Sequence, residues 1–180
     1  MSSNWRNSGA RAALAATLAG ALVAPAGADS SSPSWMTVDA PHKTVHFAIQ
    51  MAENGNNGTL NFNGYAHGGM TITVPLGWSV KMKVTNAGEG AIPHSLEIIA
   101  EKETVPSQGV EPPVFDGAET VNLINGLGVG KSDEVDFTAS AAGSYWMFCG
   151  VPDHGVGGMW DYFVVSSTAT APSVTYAKGS

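Results

Sequence analysis

One cysteine stands in the 180-residue chain, Cys149, and it opens the spacing Cys-x4-His-x4-Met with His154 and Met159. The surrounding stretch, Tyr145 to Val165, reads YWMFCGVPDHGVGGMWDYFVV. A thiolate, an imidazole and a thioether are thus expected in one loop between two neighbouring strands. Thiolate and thioether are soft donors that suit Cu(I), and imidazole suits both Cu(I) and Cu(II). Zinc more often takes several Cys or His without Met, and an iron–sulfur cluster generally needs four Cys. Taken singly, the three residues would read as a buried thiol, a loop histidine and a core methionine. Taken together they point to copper in a His2Cys set with a weak axial Met, a site used for electron transfer. Such a set lies between the geometries the two oxidation states prefer, so little need move when an electron arrives. The loop lacks a second imidazole, and His94 is the best donor. It follows Pro93 at the head of the apolar run HSLEII, with 54 residues between it and Cys149.

These side chains need a scaffold, and the chain reads as strands from Val38 onward. Thr44 to Met51 alternates Val45, Phe47, Ile49 and Met51 against Thr44, His46, Ala48 and Gln50. Further strands are expected at Thr59 to Tyr65, Thr71 to Val74, Trp78 to Asn86, His94 to Glu101, Glu119 to Ile124, Glu134 to Ala139, Ser144 to Cys149 and Trp160 to Ser166. The segment Lys102 to Gly117, with Pro106, Pro112 and Pro113, reads as irregular with room for a turn of helix. Roughly eight or nine short strands at this spacing predict an all-β sandwich or barrel. Alternation along Ser144 to Cys149 predicts Tyr145, Met147 and Cys149 on one face, Trp146 and Phe148 on the other.

Composition agrees. There are 22 glycines and 10 prolines, and charged residues make up only 13%. The net charge of −7 argues against nucleic-acid binding, which needs Lys or Arg clusters. The only arginines, Arg6 and Arg11, precede the apolar run Ala12 to Val23 and the small-residue pattern Ala26-Gly27-Ala28. Residues 1–28 therefore read as a secretory signal peptide cut before Asp29, with export to the periplasm. Left uncleaved, the segment would tether the protein to the membrane. Residues 29–37 are expected as a flexible leader, 38–166 as the folded domain and 167–180 as a flexible tail.

With the motifs in view, the chain resembles the cupredoxins, or type 1 blue-copper proteins, from about Val38 to Ser166. The Cys-x4-His-x4-Met spacing is similar to that of rusticyanin and sulfocyanin. LNFNGYAHGGMTITVPLGW (Leu60 to Trp78) and FCGVPDHGVGGMWDYFVV (Phe148 to Val165) resemble the sulfocyanin family, with Leu60 in the first aromatic position of its FNFNG-type motif. The resemblance implies a Greek-key β-sandwich and one copper ion held by His94, Cys149, His154 and Met159. It implies that Ser95, placed where plastocyanin and azurin have Asn and rusticyanin has Ser, ties the two ligand loops together. It also implies a rather high reduction potential.

The function expected is one-electron transfer between respiratory partners such as a cytochrome or terminal oxidase, by a monomer that is not an enzyme. A copper oxidoreductase of the nitrite reductase or multicopper oxidase kind would need further copper centres, and the sequence has no His-x-His pair. A periplasmic copper-binding store or chaperone tends to expose Met- or His-rich sites, which are lacking. His42, His46 and His67 read as solvent-facing. Trp78, Trp146 and Trp160 read as core residues, and the acids as a solvated surface. Val151, Pro152, Val156, Gly157 and Gly158, with Ile92 and Pro93, are expected to form an apolar docking patch beside the site.

Overall fold

The computed structural model describes Met1, residues 32–110 and residues 112–177. The expected signal segment beyond Met1, and Glu111, lie outside the described residues. Among the described residues nine strands form two sheets. They are β1 (Met36–Asp39), β2 (Thr44–Met51), β3 (Met70–Pro75), β4 (Ser79–Asn86), β5 (Glu97–Ala100), β6 (Ser132–Thr138), β7 (Gly143–Phe148), β8 (Trp160–Ser166) and β9 (Ser173–Tyr176). One sheet runs β1-β2-β4-β6, the other β5-β7-β8-β3-β9. The fold is the all-β sandwich expected, and its strand count falls in the expected range of eight or nine.

Alternation explains the packing. Val45, Phe47, Ile49 and Met51 of β2 and Val80, Met82 and Val84 of β4 are all buried, and the parallel register sets Thr44 opposite Ser79 and Met51 opposite Asn86. They meet Ile72 and Val74 of β3, Met147 of β7 and Phe163 and Val165 of β8 in one core between the sheets. Cys149, Val151 and Met159 belong to that same core. A smaller cluster of Ile99, Trp146 and Phe148 lies apart from it, with Trp160 and Tyr162 against it. Strand β7 is therefore buried on both faces, as its apolar run YWMF requires.

Three expectations need correction. Thr59 to Tyr65 and Glu119 to Ile124 are not strands. Asn57, Thr59 and Asn63 take positive φ, as does Asn122, and such residues cannot continue an extended ladder. In the first segment backbone pairing with β2 is limited to one bridge, Phe62 with Met51, and side chains extend it. Asn63 Oδ1 accepts from Gln50 N at 2.6 Å and its Nδ2 donates to Ala48 O at 3.2 Å, while Asn61 bonds Glu53, Gly64, Asn54 and Asn56. Third, the domain is longer at both ends. β1 begins inside the expected leader, and β9 lies in the expected tail. β9 pairs antiparallel with β3, Val174 opposite Ile72, so β3 is not left as an open edge.

Segment 102–110 is irregular and holds no helix. It lies along the Cys149 loop, where Gly109 N donates to Gly150 O at 2.8 Å and Asp153 N to Ser107 O at 2.7 Å.

Candidate metal centre

Strand β7 ends at Phe148, so Cys149 continues its inward face at the end of the core and is fully buried. The loop that follows folds back on itself. Gly157 N donates to Asp153 O, Gly158 N to Gly155 O and Met159 N to His154 O, at 2.9, 2.8 and 3.0 Å. Cys149 N donates to Met159 O at 3.1 Å and closes the loop at the start of β8. Gly155 is required here, since a Cβ would fall 2.1 Å from the Phe148 ring.

His94 arrives from the segment before β5. It exchanges backbone hydrogen bonds with Leu127, 3.2 Å from its N–H and 2.7 Å to its carbonyl. This pairing diverts His94 to Leu96 from the strand, which starts at Glu97 rather than at His94 as expected.

The donor atoms converge. One ligand atom each from His94, Cys149 and His154 lies within 4.8 Å of the others. Cys149 Sγ is 3.5 Å from His154 Nδ1, and Met159 Sδ is 3.2 Å from His94 Nδ1. The imidazole centroids are 4.9 Å apart. His94 and Met159 are fully buried, and His154 is half-buried.

Burial sets the protonation of the metal-free site. It pushes His94 down to about 4, with the neighbouring His154 adding to the shift, and lowers His154 as well. It pushes the Cys149 thiol up to about 11, although the Ser95 and Val151 amides and the Ser95 hydroxyl oppose it. Two neutral imidazoles and a thiol thus face one another near neutral pH. A soft cation would find both lone pairs free and would displace one proton, from sulfur. Two sulfurs and two imidazoles fit copper. With its Nδ1 lone pair turned to the site, neutral His94 carries its proton on Nε2, which is buried with no hydrogen-bond partner.

Ser95 spans the two ligand loops. Its N–H donates to Cys149 Sγ at 3.4 Å, its Oγ lies 3.9 Å from that sulfur, and Gly150 N donates to Oγ at 2.9 Å. Ser95→Ala leaves the Gly150 N–H buried and unpaired, an expected loss of about 1–2 kcal/mol. Urea unfolding of the copper-free protein measures it, and unchanged stability would show that Gly150 finds another acceptor.

The apolar surface is smaller than expected. Ile92 and Val156 are 42% and 53% exposed and Pro152 is exposed, but Val151 and Gly158 are buried. His42, His46 and His67 are exposed as expected. Trp78 and Trp146 are buried, and Trp160 is half-buried against the smaller cluster.

The sequence reading missed Asn86 and Asn57. Asn86 is buried at the end of β4, where its amide reaches the His94 segment. Asn57 reaches the Cys149 loop. A polar residue closing an apolar strand was the one available signal for Asn86.

Residues 31–176 match the family described as the Sulfocyanin (SoxE) domain. A sulfocyanin from Sulfolobus acidocaldarius is 32% identical over 137 residues, covering 73% of this chain and 68% of the relative. Among solved structures, reduced rusticyanin superposes with a TM-score of 0.52 at 25% identity, covering 69% of this chain and 80% of its own. A reduced auracyanin from Roseiflexus castenholzii gives 0.50 at 24% identity, covering 69% and 97%, a likeness of fold.

Proposed function

The chain belongs to the sulfocyanin family of blue-copper electron carriers, and from that premise we propose that His94, Cys149, His154 and Met159 together hold its one copper ion. The convergence of His94, Cys149 and His154 carries the reading. The bound ion supplies a one-electron Cu(II)/Cu(I) couple. The protein's part is to hold the donors still and keep water out. Cys149, His94 and Met159 are buried, and backbone hydrogen bonds close the loop on both sides of His154. Half-buried His154, with Ile92, Pro152 and Val156 exposed nearby in sequence to the ligands, offers the shortest way to a docked partner. Ser95 links the two loops so that both move little.

The partner is a redox protein such as a cytochrome or terminal oxidase, and the carrier acts as a monomer exported to the periplasm. Export rests on the pattern in residues 1–28. Among the described residues no helix is long and apolar enough to cross a membrane.

Titrating the protein with Cu(II) is expected to give an intense visible thiolate-to-copper band that ascorbate bleaches and a reoxidant restores. Cys149→Ser is expected to abolish it. The reading fails if the native protein gives no such band or if Cys149→Ser keeps it.

A further inference from the structure

Among the described residues, eight non-glycine residues have positive φ, and five of them lie between Ala52 and His67: Ala52, Asn57, Thr59, Asn63 and His67. Thr59, at φ 75, is β-branched and particularly unsuited to that region. Such strain persists only where the surroundings over-determine it, and it clusters at functional sites. Asn61 and Asn63 spend their side chains on their own loop and on β2. Asn57 and His67 reach elsewhere, to the arm of the ligand loop that carries Met159.

Asn57 Nδ2 donates to Gly157 O at 2.8 Å and to Leu60 O at 3.0 Å. Its Oδ1 lies 3.2 Å from His67 Nε2. His67 N donates to Gly158 O at 2.8 Å, and Gly68 N donates to Trp160 O at 3.0 Å. The carbonyls of residues 157, 158 and 160, on both sides of Met159, are therefore all tied to this one segment. The His67 ring lies against Gly158, which has φ 98, and a Cβ there would fall 2.1 Å from the ring. Leu60 also packs on this arm, its terminal methyl 2.7 Å from where a Cβ on Gly157 would lie.

A thioether is the weak ligand of such a centre. It cannot hold its own arm in place, so the protein must impose its position. We propose that Asn57 and His67 are positioning residues that fix where Met159 presents its sulfur to the metal. The inference rests on the four-ligand reading above. The clamp acts through backbone carbonyls and touches no ligand side chain, so its influence should pass through Met159 alone.

The test is a double-mutant cycle on the copper-loaded protein. Asn57→Gly removes the amide while a glycine takes φ 50 without strain. It is expected to lower Cu(II) affinity about tenfold, in line with outer-shell partners of metal ligands, and to shift the midpoint potential. Chelator competition and spectroelectrochemistry read the two effects. In a Met159→Leu background the same substitution should leave both quantities nearly unchanged. His67→Ala, expected to act in the same direction, serves if Asn57→Gly does not fold. The proposal is overturned if the clamp variant matches the native protein, or if its effect is as large in the Met159→Leu background. If Met159→Leu alone alters neither affinity nor potential, Met159 is not a ligand, and both the four-ligand reading and the clamp fall.

Discussion

Asn86→Ala is expected to destabilise the protein by about 3 kcal/mol, the cost of leaving buried polar groups unpaired, and to weaken copper binding about tenfold. The side chain is fully buried and makes three hydrogen bonds. Nδ2 donates to Ile92 O at 3.0 Å and to Leu127 O at 2.8 Å, and Oδ1 accepts from Gly88 N at 3.1 Å. The backbone of Asn86 joins a third segment, through Lys131 O and Gly130 N. Leu127 is the residue that pairs with His94. One amide thus ties the segment leading to His94, the segment pairing with His94 and the end of β4. Truncation leaves two carbonyls and one N–H without this partner. Asn86→Asp separates shape from chemistry. It keeps the acceptor for Gly88 but sets an oxygen against two carbonyl oxygens, so it should cost at least as much as Ala. Urea unfolding of the copper-free protein measures the stability, and chelator competition the affinity. A well-tolerated Asp would show that the amide donors do not anchor His94.

The contrast between Asn86 and the ligands shows what could be read in the sequence. Cys149, His154 and Met159 sit within one loop, so their spacing alone announced their chemistry. His94 was inferred from its place before an apolar run. Its partner Leu127 was not, because nothing local marks a pairing across 33 positions. The sequence alternates along β2 because one face of that strand meets the core, whereas β8 shows only as an apolar run, WDYFVV, since its two faces meet different clusters and buried Asp161 breaks the alternation. The same pattern misled at Thr59 to Tyr65. There Phe62 is buried and bridges Met51 as a strand residue would, but the pairing with β2 stops at that one bridge and the flanking asparagine side chains make the remaining bonds. β9 was missed since SVTY carries little apolar signal and its stability comes from the edge of β3. Asn57 bonds Gly157 at a separation of 100 residues, and Asn86 bonds Leu127 at 41. Polar ties of that range leave no period or spacing behind them.

Asp161→Asn is expected to remove a loss of stability that the native protein suffers as pH rises. Asp161 lies in β8 opposite Met147 and is fully buried. Its Oδ1 accepts from Met70 N at 2.9 Å, at the start of β3, while Oδ2 is buried without a hydrogen-bond partner. Burial pushes its carboxyl from 3.8 up to about 8, with the Met70 and Gly69 amides opposing only part of the effect. The sign follows from which state binds the proton. Below 3.8 both folded and unfolded chains hold it, and the contribution is fully present. Between 3.8 and about 8 the unfolded chain releases its proton and the folded chain keeps it, so stability falls with pH. The interval corresponds to roughly 6 kcal/mol at most, lost by the time the folded carboxyl ionises. Asparagine keeps an oxygen for Met70 and cannot ionise. Urea unfolding at pH 4.5, 6 and 8 of both proteins cancels every other titrating group in the difference. That difference should move steadily in favour of Asn as pH rises, with and without copper. A difference independent of pH would mean that Asp161 ionises alike in the folded and unfolded chains, and that water or another donor reaches Oδ2.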